Sequence, residues 1–178
     1  MVGREETTLR AALAQLEDAE LVFRSGEPPA ARYTFKHALV QDTAYESLLK
    51  SRRQILHQRI AEALRDKFPD VVEVEPELLA HHFTQAGLTD PAIAYWGRAG
   101  DLALRRSAFK EAIAHLGKAI EMTEAQAGPG ETENAGVKLK LQVSYGNALI
   151  AARGYGAPET TAAFARARET SGYDEGAP

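Results

Sequence analysis

The chain has 178 residues, of which 44% are apolar, 7% aromatic and 26% charged. That apolar share can build a core, and few aromatics beside abundant alanine point to close-packed helices rather than a β-sandwich. A formal charge of −4 and the lack of cysteine exclude a net pull toward nucleic acid or anionic lipid, disulfides, thiol nucleophiles and thiolate metal sites.

Leu9, Ala12, Leu13, Leu16 and Ala19 recur at helical spacing, so the first element is predicted to be an amphipathic helix from Glu5 to Ala19. The acid pairs Glu5 with Glu6 and Glu17 with Asp18 read as its solvated face, not as catalytic carboxylates. "LVFR" and "RYTF" then alternate apolar with polar residues, and Gly26, Pro28 and Pro29 between them supply turn geometry. The expectation is a β-hairpin with a long loop. From Ala38 the helical period returns through Leu39, Tyr45, Leu48 and Leu49. Ser51 with Gln54 has the spacing of a capping box that opens a helix through Ile55, Leu56, Ile60, Ala63 and Leu64.

"KFPDVVEVE" reads as a linker, after which the punctuation is regular. Pro76 and Pro91 suit a first helical turn, Asp90 suits an N-cap, and Gly87 and Gly154 suit left-handed stops. Helices are predicted at about 76–86, 91–106, 109–126, 135–153 and 158–171, with "AGPGETE" as a loop and residues 172–178 as a disordered tail. There is no run of about 18 apolar residues and no signal-peptide core, so the expected location is the cytoplasm.

Short-looped helix pairs prompt a search for a repeat of about 34 residues. Trp96, Gly100, Ala112, Leu116 and Ala119 alternate large and small residues at the offsets of a tetratricopeptide unit over about 93–126. Small residues are needed where paired helices cross closely, and large ones fill the space beside them. The unit departs from that pattern at Glu124, in place of a usual proline, and at Ala103, in place of a usual aromatic. A second unit fits Gly146, Leu149, Phe164 and Ala167 if its inter-helix turn is about two residues longer. The helix over about 52–67 with that at 76–86 makes a third, degenerate pair. Phe83, Trp96 and Phe164 lie on apolar helical stripes and are expected in the core.

Candidate chemistry is sparse. His81 and His82 are adjacent and diverge by about 100° on a helix, so with His115 they do not form a chelating set, and no metal is expected. Neither a GxSxG nucleophile motif nor a GxxxxGK[ST] phosphate loop occurs, and no catalytic residue is assigned. The densest basic run, "KSRRQILHQR", holds Lys50, Arg52, Arg53 and Arg59 and is read as a partner or inter-domain face rather than a nucleic-acid site.

The stretches "YTFKHALVQDTAYESLLKSRRQILHQRIAEAL", "PELLAHHFTQAG", "AIAYWGRAGDLALRRSAFKEAIAHLGKAIE" and "GNALIAARGYGAPE" together resemble the region that follows the nucleotide-binding module of bacterial STAND-class signalling ATPases. The nearest subgroup is the one fused to class III adenylate or guanylate cyclases; similar segments occur in large transcriptional regulators. The resemblance spans roughly residues 9–170. It implies that the hairpin is the wing of a partial winged-helix element. It also implies that His37, in "FKHAL", touches the phosphate of a nucleotide held elsewhere in the parent protein and keeps the closed, inactive form. ATP or ADP is thus a cofactor of the parent and not of this chain.

The resulting expectation is a mostly α chain, an α-solenoid of tetratricopeptide-like hairpins (51–171) preceded by a partial winged-helix element with a small β-hairpin (1–50). Its expected role is non-catalytic: the regulatory arm of a multidomain, cyclase-linked signalling ATPase, binding a protein or a neighbouring domain. A fragment of a DNA-binding regulator and a freestanding repeat adaptor are the alternatives.

Overall fold

A computed structural model describes residues 2–27, 31–126 and 135–171, with side chains from residue 7 onward. Pro28, Pro29, the side chains of Glu5 and Glu6, the predicted loop 127–133 and the predicted tail 172–178 lie outside the described residues. The described chain is mostly helical with one two-stranded antiparallel sheet, and it divides into two units, 1–53 and 54–178.

The first unit begins with α1 (Val2–Asp18), followed by β1 (Val22–Ser25), β2 (Arg32–Phe35) and α2 (Ala38–Glu46). Alternating side chains favour a paired, half-buried ribbon, and β1 meets β2 with Val22 opposite Phe35 and Ser25 opposite Arg32. Glu20, at φ 56°, ends α1 in a left-handed turn in which Leu21 N–H donates to the Leu16 carbonyl. Among the described residues of this unit, Val22 is the buried hydrophobic one. Leu39 and Leu49, which follow the helical period, are each 77% exposed, and α2 buries none of its residues.

The helix α3 (Lys50–Lys67) carries the chain from one unit to the next. It starts before the predicted capping box: the Leu49 carbonyl already accepts from Arg53 N–H at 3.0 Å, so Ser51 is helical and not a cap. The predicted linker also contains a helix, α4 (Pro69–Val74). Proline at its first position sets φ, Asp70 complements the N-terminal dipole, and Val72 is buried.

From here four helices follow one another: α5 (Pro76–Ala86), α6 (Thr89–Arg105), α7 (Phe109–Gln126) and α8 (Ala135–Arg153), with α9 (Pro158–Ser171) after them. Each packs on the next in sequence, and α6 also meets α8. Gly87 closes α5 at φ 76°, and Leu88 N–H donates back to the Phe83 carbonyl at 3.0 Å. That turn is so tight that α6 resumes at Thr89 with Leu88 at its N-cap, and Asp90 falls in the first turn instead of capping it. Gly154, at φ 87°, follows the end of α8 as expected.

Two buried clusters fill this unit. Ala61, Val72, Leu79, Phe83 and Ala92 form one. The other is built from α6, α7 and α8 and includes Ile93, Leu116, Ile120 and Leu141. Trp96 and Met122 pack against both, so the apolar interior runs without a break from α3 to α8.

Candidate functional site

The residues expected to pack the repeats are where the helices come closest. Ala112, Leu116 and Ala119 are fully buried in α7, and Gly100 is buried opposite them in α6. A Cβ at Gly100 would lie 2.7 Å from Leu116 Cδ2, closer than a real methyl group tolerates. The same relation recurs in the next pair, where a Cβ at Gly146 would lie 2.7 Å from Phe164 Cζ. Ala167 is buried beside it. Glycine is therefore required at both crossings by close approach, and the longer α8–α9 turn keeps Phe164 in the place that Leu116 takes in the preceding pair.

Trp96 is fixed by polar as well as apolar partners, and Phe83 by burial and a ring contact. Trp96 Nε1 donates to Thr84 Oγ1 at 3.0 Å, and that hydroxyl donates to the Ala80 carbonyl at 2.7 Å. Phe83 is buried and stacks on Tyr95 with ring centroids 5.6 Å apart. His115 stacks on Trp96 at 5.3 Å, away from His81 and His82 in role as well as in sequence.

His37 stands between β2 and α2. Its backbone is extended (φ −130°, ψ 123°), its carbonyl accepts from Val40 N–H at 3.1 Å, and its exposed imidazole makes no capping bond to α2. Of the basic run, Lys50 and Arg52 are exposed, and the Arg53 guanidinium lies over the Tyr45 ring at 4.9 Å. Arg59 is exposed on α3.

Within the second unit a surface cavity of about 430 Å³ is lined by Glu73, Pro76, Arg98, Asp101, Leu102 and Arg105. Its rim is held by Arg106, which donates to the Val74 carbonyl at 3.3 Å, and by Lys140, 3.8 Å from Asp101. Arg98 lies over Tyr95 at 5.1 Å. Both signs of charge are thus presented on a groove shaped by α4, α5 and α6, an arrangement suited to polar and backbone groups rather than to a greasy ligand.

His115, weighed with His81 and His82 as a chelating set and rejected on helix geometry, stacks on Trp96 and does not join them. The residue that meets them is His57, from α3: its Nδ1 is 2.8 Å from His82 Nδ1, and the three ring centroids are 5.0 to 5.9 Å apart. Burial first, then the charges of His57 and His81, pushes His82 down to about 4. No spacing on α3 announces this, because His57 is buried beside Ala61 on a helix whose other apolar residues are partly buried or exposed. Among the described residues no group of three or more His, Cys, Asp or Glu side chains is arranged to hold a metal ion. No described helix is long and apolar enough to cross a membrane.

No family model matches the chain, and no solved structure matches it significantly. An uncharacterized protein of Rhizobium meliloti (strain 1021) is similar, at 32% identity over 123 residues. The matched stretch makes up 69% of this chain and 12% of that protein, so the region corresponds to a small part of a much longer polypeptide.

Proposed function

We propose that this chain is a non-catalytic regulatory and protein-interaction region of a STAND-class signalling ATPase whose output is an adenylate or guanylate cyclase. In this reading α5 to α9 belong to a tetratricopeptide-like solenoid, and the β1–β2 hairpin is the wing of a partial winged-helix element. The observation that carries it is the repeated crossing, Gly100 on Leu116 and Gly146 on Phe164, because stacking one hairpin geometry in tandem is what such an array requires. The similarity to 12% of a far longer protein agrees with a region that works inside a larger assembly.

The groove lined by Arg98, Asp101 and Arg105 is the surface offered to a protein partner or a neighbouring domain. His37 is the phosphate-sensing residue once a nucleotide-binding module is alongside: its exposed imidazole has no capping duty and can donate to a phosphate oxygen. ATP or ADP is bound by that module, and this region shifts its balance between closed and open forms. Sequencing the coding DNA on the 5′ side tests the reading. An in-frame phosphate-binding loop is expected there, with a cyclase domain in the same polypeptide, and a reading frame lacking any phosphate-binding loop overturns it.

A further inference from the structure

Arg98, Leu102 and Arg105 recur at i, i+4 and i+7 along α6, which places them on one face of the helix, and all three line the charged groove. The charges around them are unequally engaged. Asp101 faces Lys140 at 3.8 Å, and Arg106 donates to the Val74 carbonyl at 3.3 Å. Among the described residues neither Arg98 nor Arg105 takes part in an ion pair or a hydrogen bond, and Glu73 is likewise unpaired. The groove therefore offers two free cations against one free carboxylate. Arg98 Cζ lies over the Tyr95 ring at 5.1 Å. Stacking holds a guanidinium by its face and leaves its in-plane N–H groups for an acceptor.

We propose that this groove binds an acidic, extended segment of a partner protein, in which two carboxylates three residues apart pair with Arg98 and Arg105. Seven helical residues set the two arginines about 10 Å apart along α6. Tyr95, one turn before Arg98, draws its guanidinium away from Arg105, so a single small anion does not serve both. In a polyproline II segment residues i and i+3 share one side and stand about 9 Å apart, which matches that span. The half-buried Leu102 lies between the arginines on the same helix face, and with the buried Pro76 it gives the intervening residues an apolar floor. Asp101, held by Lys140, opposes such a segment little, whereas the unpaired Glu73 opposes it directly.

This inference rests on the reading of the groove as a partner surface and names the partner's chemistry. The coding-sequence test of the proposed function uses no peptide, so either can fail alone. The test is an NMR titration of the purified chain with a terminally blocked peptide, Gly-Ser-Glu-Pro-Pro-Glu-Ser-Gly. Saturable shifts are expected at the amides from Arg98 to Arg105, with an affinity that falls as salt is raised. Arg98→Gln and Arg105→Gln should each weaken binding about threefold, the worth of one exposed ion pair. Glu73→Gln should strengthen it by about as much. Lys118→Gln, the same change of charge on α7, should leave it unaltered. Glu73 is exposed, so a gain in its variant keeps the proposal testable should Arg98→Gln fold poorly. A peptide with its two glutamates adjacent should bind more weakly, and one with lysines in their place should not bind. No saturable shift, equal binding of the adjacent-glutamate or lysine peptide, an equal loss in Lys118→Gln, or tighter binding of an eight-nucleotide oligothymidylate would each overturn the proposal.

Discussion

Gly100 and Leu116 compete for one volume: a methyl group on the α6 backbone at position 100 would stand 2.7 Å from Leu116 Cδ2. Alanine is the better helix former by about 1 kcal/mol, yet the clash with a fully buried leucine outweighs it. Gly100→Ala should therefore lower stability by a net of about 1–2 kcal/mol. Urea denaturation measures this, and the cost should shrink in a Leu116→Ala background, where the obstructing carbons are gone. Gly146→Ala should behave in the same way against Phe164.

Gln142 makes the opposite prediction. It stands four residues before Gly146, as Trp96 stands four before Gly100, but its buried amide nitrogen and oxygen have no partner, whereas Trp96 Nε1 is satisfied by Thr84. Gln142→Leu should raise stability by about 1–2 kcal/mol, since it replaces an unpaired polar group by an apolar one of similar length. A lower denaturation midpoint would mean that the amide is hydrogen-bonded in solution.

Ser107 is at φ 59° where α6 turns into α7, with Ala108 N–H bonded back to the Ala103 carbonyl at 2.9 Å. That is the left-handed stop for which glycine is best suited, and which Gly87 provides at the end of α5. Ser107→Gly should stabilise the chain by about 1 kcal/mol, read as a rise in thermal midpoint. No change would show that solvent contacts of the serine offset the strain.

The depressed His82 imidazole sets a pH dependence. Its folded value of about 4 lies below the ordinary 6.5, so between these values the unfolded chain binds the proton more readily. This contribution to stability is complete above pH 6.5 and falls away as the pH drops toward 4. The side chain is only half-buried, so after solvent screening the loss is on the order of 1 kcal/mol. Comparing wild type and His82→Gln by denaturation at pH 7 and pH 4.5 checks it: the variant should lose less.

Much of the second unit was legible because its signals are local. Pro76 opens α5, Gly87 and Gly154 close helices in left-handed turns, and glycines paired with distant large residues mark the crossings. Helix starts were less legible: at Ser51 and Asp90 the neighbouring turns opened the helix earlier than the side-chain caps suggested. The short α4 was hidden because six residues are too few for a periodic stripe. The His57–His82 pair was hidden for a different reason. It depends on how α3 lies against α5, and no spacing along one helix encodes a partner 25 residues away.

In the proposed function this region regulates and does no chemistry of its own. Its most direct test is nucleotide turnover by the purified 178-residue chain with ATP and Mg²⁺, followed as phosphate release and cyclic nucleotide formation. The expected rate equals that of the protein-free blank. Saturable turnover that follows the chain through purification would contradict it.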